Sequence, residues 1–366
     1  MKRSLENMNI ALVHEWITNV AGAERVLLTL KEMFPKAPIF TSVFDSAKAK
    51  PFLKHEIRTS FLQKWPLMKS KRELLIPLTP FAFEQFDLSK FDLVISSSTM
   101  AAKGIITKPD TVHISYCHTP PRYLWEPQID PRAKGGAFGW LKSITSHKMR
   151  IWDKVAADRV DHFVANSNYV SGRIQKYYGK SSTVIYPPVD IEKYQPKSEV
   201  DSEDYFLYVS RLVGYKKCDL VIDAFNELGW PLKIIGRGPE KENLIKKAKS
   251  NIEFLGFLPD EKVIEYYQKA KAFVFASEED FGIVPVEAMA AGRPVIAYRN
   301  GGQAEAIIEG VTGEFFDDQT KESLMKTLKS FNPLGYNSQV ISNHAKNFSK
   351  EEFKKRLRNY LDQILS

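Results

Sequence analysis

Residues 276–297 read ASEEDFGIVPVEAMAAGRPVIA, and the fold follows from this stretch. It leaves the apolar run Ala272-Phe273-Val274-Phe275, a predicted buried strand, opens a helix near Ile283 to Pro285, and returns to a strand at Pro294 to Ala297. Pro285 suits a first helical turn, where a missing N–H costs little. Glu279 in the loop and Glu287 in the first turn frame the junction with seven residues between them. Between them the N–H groups of Phe281, Gly282 and Ile283 are helix-start donors without intrahelical partners. Donors for oxygens and two acceptors for hydroxyls are what a sugar or ribose requires. A helix capped by acidic residues that its dipole favours needs the same residues, so the stretch alone leaves both readings open.

Around it the second half alternates strand and helix. Strands are expected at Tyr205–Val209, Leu232–Ile235, Ile252–Leu255, Ala272–Phe275 and Pro294–Ala297. Helices are expected at Lys217–Leu228, Pro239–Ser250, Glu261–Lys269 and Val284–Ala291. Such alternation predicts a parallel sheet with helices on both faces. The candidate polar groups all fall at carboxyl ends of strands, where ligands of open α/β sheets bind. They are Arg211 and Lys216, Gly236-Arg237-Gly238, Phe257-Leu258, Glu279 and Asn300-Gly301-Gly302. The glycine pair around Arg237 is not a dinucleotide fingerprint, since Lys241 stands where a third glycine would be needed.

The first half repeats the pattern. A strand at Met8–Trp16 runs through a loop to Gly22 and an amphipathic helix, Ala23–Phe34. Further strands are expected at Ile39–Phe44, Ile57–Leu62, Leu93–Ser96, Val112–Tyr116, His162–Ala165 and Thr183–Tyr186, with helices at Phe138–Arg159 and Tyr169–Tyr178. His118 lies just past a strand end beside the rigid Pro120-Pro121 turn, a ligand-site position. Residues 61–86 mix Trp65 and Phe61 with Lys64, Lys69, Lys71 and Arg72, the composition of a helix on an anionic membrane surface. A core-facing helix with a basic outer side is the alternative.

At 366 residues the chain exceeds the size of a single core, so two domains are expected. Pro187-Pro188 and the polar run after Pro196 break the pattern. This divides the chain into 1–195, 196–345 and a C-terminal helix in 346–366 that packs back on the first domain. Two cysteines without metal-ligand spacing suggest a reducing compartment. No apolar run reaches the length of a membrane span and the N-terminus has no signal core, so the expected location is cytoplasmic. A net charge of +8 invites polyanionic partners. No basic-aromatic nucleic-acid module is present, so nucleic acid is not an expected partner.

The second half resembles the retaining glycosyltransferases of family 4, which have the GT-B architecture, two Rossmann-like α/β domains with parallel sheets facing across a cleft. The matching residues are Ser210-Arg211 with Lys216, the turn Gly236-Arg237-Gly238-Pro239, and Glu279 with Glu287 in FGIVPVEAMAAGRPVIA. The likeness is strong over residues 205–314 and looser before. There, Gly22 stands at the family's glycine-rich loop, although as Ala21-Gly22 rather than paired glycines, and His118 at its active-site histidine. SYCHTPPRYLWE, residues 115–126, resembles bacterial mannosyltransferases acting on lipid-linked saccharides.

The resemblance implies a nucleotide-sugar donor, GDP-mannose, and a lipid-linked saccharide acceptor met by a peripheral protein at the inner face of the plasma membrane. Gly22, Gly236, Phe257 and Leu258 would be among the residues that bind the donor, and Glu287 would accept from its ribose hydroxyls. Arg211 and Lys216 would stabilise the departing diphosphate, with no metal. Glu279, the amides of Phe281, Gly282 and Ile283, and His118 would hold the transferred sugar. The alternatives are a nucleotide-sugar epimerase of the same architecture and a transferase using a UDP-sugar.

Overall fold

The computed structural model describes residues 5–65, 72–127, 139–196 and 203–365. The chain forms two compact units, Met1–Tyr186 with Lys354–Ser366, and Pro187–Phe353. Both are parallel α/β sheets, and no described helix is long and apolar enough to cross a membrane.

The first unit runs β1 (Ile10–His14), α1 (Gly22–Met33), β2 (Ile39–Thr41), β3 (Ile57–Thr59), α2 (Thr79–Glu84), β4 (Leu93–Ser98), β5 (Val112–Cys117), α3 (Arg122–Trp125), α4 (Gly139–Asp158), β6 (His162–Ala165), α5 (Asn168–Tyr178) and β7 (Ser182–Val184). The sheet order is β3-β2-β1-β4-β5-β6-β7, so the direction of winding reverses between β1 and β4. At that reversal a ligand crevice is expected at the carboxyl ends. Strand β4, LVISSS, is buried throughout, and its three serines therefore need partners. Ser96 Oγ lies 2.9 Å from His113 Nε2, and Ser98 Oγ donates to Glu15 at 3.0 Å. The same buried Glu15 carboxylate accepts from the N–H groups of Thr99, Met100, Ala101 and Ala102. It thereby satisfies donors that a helical turn leaves unpaired at its start.

The second unit runs β8 (Phe206–Val209), α6 (Cys218–Leu228), β9 (Leu232–Ile235), α7 (Lys241–Lys247), β10 (Ile252–Gly256), α8 (Asp260–Lys269), β11 (Ala272–Phe275), α9 (Ile283–Ala290), β12 (Val295–Tyr298), β13 (Gly313–Phe316), α10 (Lys321–Ser330), α11 (Ser338–Ala345) and α12 (Lys350–Leu365), the last of which continues into the first unit. Its sheet order is β10-β9-β8-β11-β12-β13. Helix α9 is apolar on nearly every side because it is enclosed: Pro285 to Ala290 are buried and α11 lies against it, with Ser342 Oγ donating to Ala290 O at 3.0 Å.

Three expectations need correction. The boundary lies at 186/187, not 195/196, because residues 187–195 pack into the second unit. Val189 bridges Ser349, Tyr194 meets Tyr267 at 5.8 Å, and Gln195 O accepts from Gln268 at 2.6 Å. The C-terminal helix straddles the later crossing: its first residues belong to the second unit and Lys354 onward to the first. Residues 61–86 are not one surface helix. Their described parts are two 3-10 turns, Phe61–Lys64 and Arg72–Leu78, and the six-residue α2, with Leu62 and Phe83 in the core. Pro77 and Pro80 interrupt any longer helix, and Lys69 and Lys71 lie outside the described residues.

Lys103 and Asp153 form a buried ion pair, and the second Asp153 oxygen accepts from Trp125 Nε1 and Tyr178 OH, each at 2.8 Å. Removing one member of such a pair strands the other charge. Lys103→Met should therefore cost ~3–5 kcal/mol, measured by denaturant unfolding. A loss below ~1 kcal/mol would show that Trp125 and Tyr178 satisfy the carboxylate alone.

Candidate active site

The carboxyl ends of the second sheet carry, in strand order, Phe257 after β10, Arg237 after β9, Arg211 and Lys216 after β8, Glu279 after β11 and Asn300 to Gln303 after β12. Neighbouring strands lie ~4.8 Å apart, so Phe257 to Glu279 spans about three such gaps. The chain thus lays out an aromatic platform, then cations, then a carboxylate.

At one end Phe257 is 69% exposed, with the Arg237 guanidinium 4.6 Å over its ring and Leu258 half-buried beside it. The loops after β8 and β9 touch backbone to backbone. A Cβ on Gly236 would sit 1.9 Å from Ser210 O, and one on Gly238 would sit 2.0 Å from Leu212 O. Only glycine permits that approach.

In the middle, Arg211 is exposed and Lys216 is held on both sides. Its carbonyl accepts from the buried Tyr208 hydroxyl at 2.8 Å, and the next residue, Lys217, is left-handed at φ 58°. The Lys216 ammonium pairs with Glu279 Oε1. The two groups assigned separately to diphosphate and to sugar therefore meet in one ion pair.

Glu279 is itself gripped through its backbone. Its N–H donates to Gln303 Oε1 at 3.0 Å, and its carbonyl accepts from Gly302 N–H at 2.8 Å. Gln303 is fully buried and spends its amide on Tyr298 O at 3.0 Å and Asn300 O at 2.6 Å. It ties the loop after β12 to the loop after β11. Gly282 at φ 83° starts α9, and Phe281 turns its ring into the core against Phe348 at 5.6 Å. Ile283 is half-buried, and Glu287 is a buried residue in the second turn of α9 rather than the first.

In the first unit, Gly22 opens α1, and the Glu24 carboxylate caps that helix by accepting from Ala21 N–H at 2.9 Å. Burial works to raise the Glu24 carboxyl, but His14 and the Ala21 N–H outweigh it and hold the group below its ordinary value. His14 Nε2 is 3.9 Å from Glu24, His14 Nδ1 is 3.1 Å from Ser97 Oγ, and Ser97 Oγ is 2.8 Å from His118 Nε2. His118 is further fixed by its N–H to Ser98 O and by Asn166 Nδ2 to its carbonyl, each at 2.9 Å. Tautomers follow from this chain of contacts. The carboxylate favours the proton on His14 Nε2, so Ser97 donates to His14 Nδ1 and accepts from His118 Nε2–H. His118 Nδ1 is then an acceptor, the role a sugar hydroxyl needs.

Sequence reasoning named His118 and Glu279 but missed Ser97, His14 and Gln303. Polar serines on a strand buried along its whole length, and a glutamine directly after Gly301-Gly302, were the available signals.

The chain as a whole is similar to known glycosyltransferases. A family model described as Glycosyltransferase Family 4 matches residues 20–193, and one described as Glycosyl transferases group 1 matches residues 190–354. An uncharacterized glycosyltransferase of Methanocaldococcus jannaschii is 29% identical over 56% of this chain, which spans 59% of that relative's length. A GDP-mannose-dependent alpha-(1-6)-phosphatidylinositol monomannoside mannosyltransferase of Mycolicibacterium smegmatis is 30% identical over 41% of this chain and 47% of its own. The crystal structure of Anabaena HepE in complex with UDP and glucose superposes with a TM-score of 0.70 at 18% identity, over 97% of this chain and 99% of that one.

The brace on Glu279 makes a prediction about the protein alone. In Gly302→Ala the new Cβ would fall 2.1 Å from Asp280 O, so the loops after β11 and β12 must part. Melting should drop by several degrees, the size expected from ~1–3 kcal/mol of overpacking, whereas Gly335→Ala, with open space around it, should leave it unchanged. With the two family models covering residues 20–354 end to end and two parallel α/β units beneath them, the chain belongs to glycosyltransferase family 4 and has the GT-B fold.

Proposed function

We propose that this chain is a retaining hexosyltransferase that moves mannose from GDP-mannose onto a lipid-linked saccharide at the inner face of the plasma membrane, without a metal. The carrying observation is the order of groups along the second sheet, from Phe257 and Arg237 through Arg211 and Lys216 to Glu279. A base stacked on Phe257 puts ribose and diphosphate over the middle loops and the sugar beside Glu279. The mannosyl donor and lipid acceptor draw support from the M. smegmatis relative, whose name states both.

In this reading the Lys216–Glu279 pair keeps both side chains in place before donor arrives. As the bond to the anomeric carbon breaks, charge grows on the diphosphate, and Lys216 with Arg211 turns to it. Preorganised cations of that kind act mainly on the transition state. The acceptor hydroxyl attacks from the leaving-group face and its proton passes to the diphosphate. His118, oriented through Ser97 and His14, accepts from a hydroxyl of the substrate.

Lys216→Ala should lower turnover by ~10²–10³, Lys217→Ala should stay within a few-fold, and Arg211→Lys should be impaired because a point charge cannot replace the guanidinium fork. Ser97→Ala should lower kcat by ~3–10-fold with KM for donor unchanged, the equivalent of one lost hydrogen bond. Steady-state kinetics on folded variants decide these, and full activity in Lys216→Ala would end the metal-free mechanism. Donor identity is read by thermal shift: GDP at ~100 times its dissociation constant should stabilise by about 2.7 kcal/mol. A shift with UDP alone would replace GDP-mannose by a UDP-sugar, and an epimerised donor recovered without acceptor would replace transfer by epimerisation.

A further inference from the structure

Helix α4 is apolar where it should be polar. Its inner side buries Met149, Asp153, Ala156 and Ala157. Its outer side carries Trp140, Ile144, Ile151 and Val155, all exposed, with Trp140 at 67% and Ile151 at 55%. These four recur at helical spacing on one stripe, and exposed Lys148 lies on the same stripe. A surface helix normally turns charge outward, so a continuous outward apolar stripe marks an interaction site. The same unit exposes further aromatic rings near α2. Trp152 Nε1 donates to Glu84 at 2.9 Å, which holds α2 against the flank of α4, and α2 turns Phe81 outward beside exposed Phe61 at 5.7 Å. Trp65 and Lys64 are also exposed there.

Charge identifies the occupant. Residues 1–186 with 354–366 carry 31 Lys and Arg against 17 Asp and Glu, a formal +14, whereas residues 187–353 carry 21 against 27, a formal −6. The basicity of the whole chain is thus the property of one unit, the one that bears the stripe. A second copy of so basic a unit would be repelled. Tryptophan and isoleucine with lysine interleaved match an anionic bilayer surface, where rings sit at headgroup depth and ammonium groups meet phosphate. We propose that the outer face of α4, Trp140, Ile144, Ile151 and Val155 with Lys148 among them, docks on an anionic lipid surface. This deepens the membrane reading above by naming the surface, and it does not depend on which donor the second unit takes.

The test is co-sedimentation of the full chain with vesicles of phosphatidylcholine, alone or with phosphatidylglycerol. The parent should sediment with the anionic vesicles, less so as salt rises, and not with the neutral ones. The double variant Trp140→Ser, Ile144→Ser should lower that partition by about tenfold or more, and Lys148→Glu should lower it several-fold. Leu334→Ser, at an exposed apolar position of the other unit, should leave it unchanged. Hydrolysis of donor in solution should be unaffected in all of them, so a failure of the site and a failure of the surface are read separately. Unchanged sedimentation of either stripe variant, equal binding to neutral vesicles, or a parent dimer that the double variant converts to monomer would overturn the proposal. Should the double variant not fold, Lys148→Glu decides alone.

Discussion

The second unit depends on close backbone contact between loops that leave adjacent parallel strands at the same end. Parallel strands end side by side, ~4.8 Å apart, so their outgoing loops must either diverge or touch. Here they touch: Gly236 and Gly238 lie against the carbonyls of Ser210 and Leu212, and Gly302 lies against that of Asp280. Each contact is closed by hydrogen bonds, Leu212 N–H to Arg237 O at 3.0 Å and Gly302 N–H to Glu279 O at 2.8 Å. The result is a row of loops with little independent freedom. Side chains on such a row keep their spacing when a ligand arrives, which lets a few charged groups act on a transition state instead of first being ordered by it.

The first unit solves the corresponding problem with buried polar side chains. The Glu15 carboxylate gathers the N–H groups of Thr99, Met100, Ala101 and Ala102, so the chain can turn sharply after β4 without stranding donors. Its neighbour Ser97 links two imidazoles, and Ser96 takes up a third, that of His113. Burial pushes the His113 ring down to about 4, so it stays neutral across the ordinary pH range. An ordered polar interior of this sort fixes tautomers as well as positions.

Much of this was legible in the sequence. Strands β9, β11 and β6 fall on the residues predicted, because each is a short, largely apolar and largely buried run. The candidate residues of the second half fell at strand ends for the same reason. What was not legible depended on pairing over distance. Nothing local says that Gln303 reaches back to Glu279, or that Lys216 and Glu279, 63 residues apart, share a proton donor and acceptor. Strand β13 and helices α10 and α11 were missed: GEFF is a strand of only four residues, whereas the helical spacing of Leu324, Met325 and Leu328 was a signal left unread. Residues 61–86 misled in the other direction: composition suggested a helix, while prolines divide the segment and packing takes Leu62 and Phe83 inward.

Helix α12 begins in the second unit and ends in the first, where Lys354 pairs with Glu32 at 2.9 Å, Tyr360 meets His162 at 6.5 Å, and Leu357 and Leu361 are buried. The second unit is therefore, in topological terms, an insertion within the first. On the ribosome this imposes an order of events. Residues 187–353 must all be synthesised before the first unit receives its last helix, so the first unit emerges with the surface that Leu357 and Leu361 will cover still open to water. Until then its sheet must persist as an incomplete domain, and the apolar face awaiting α12 is the part of the nascent chain most in need of protection by a chaperone.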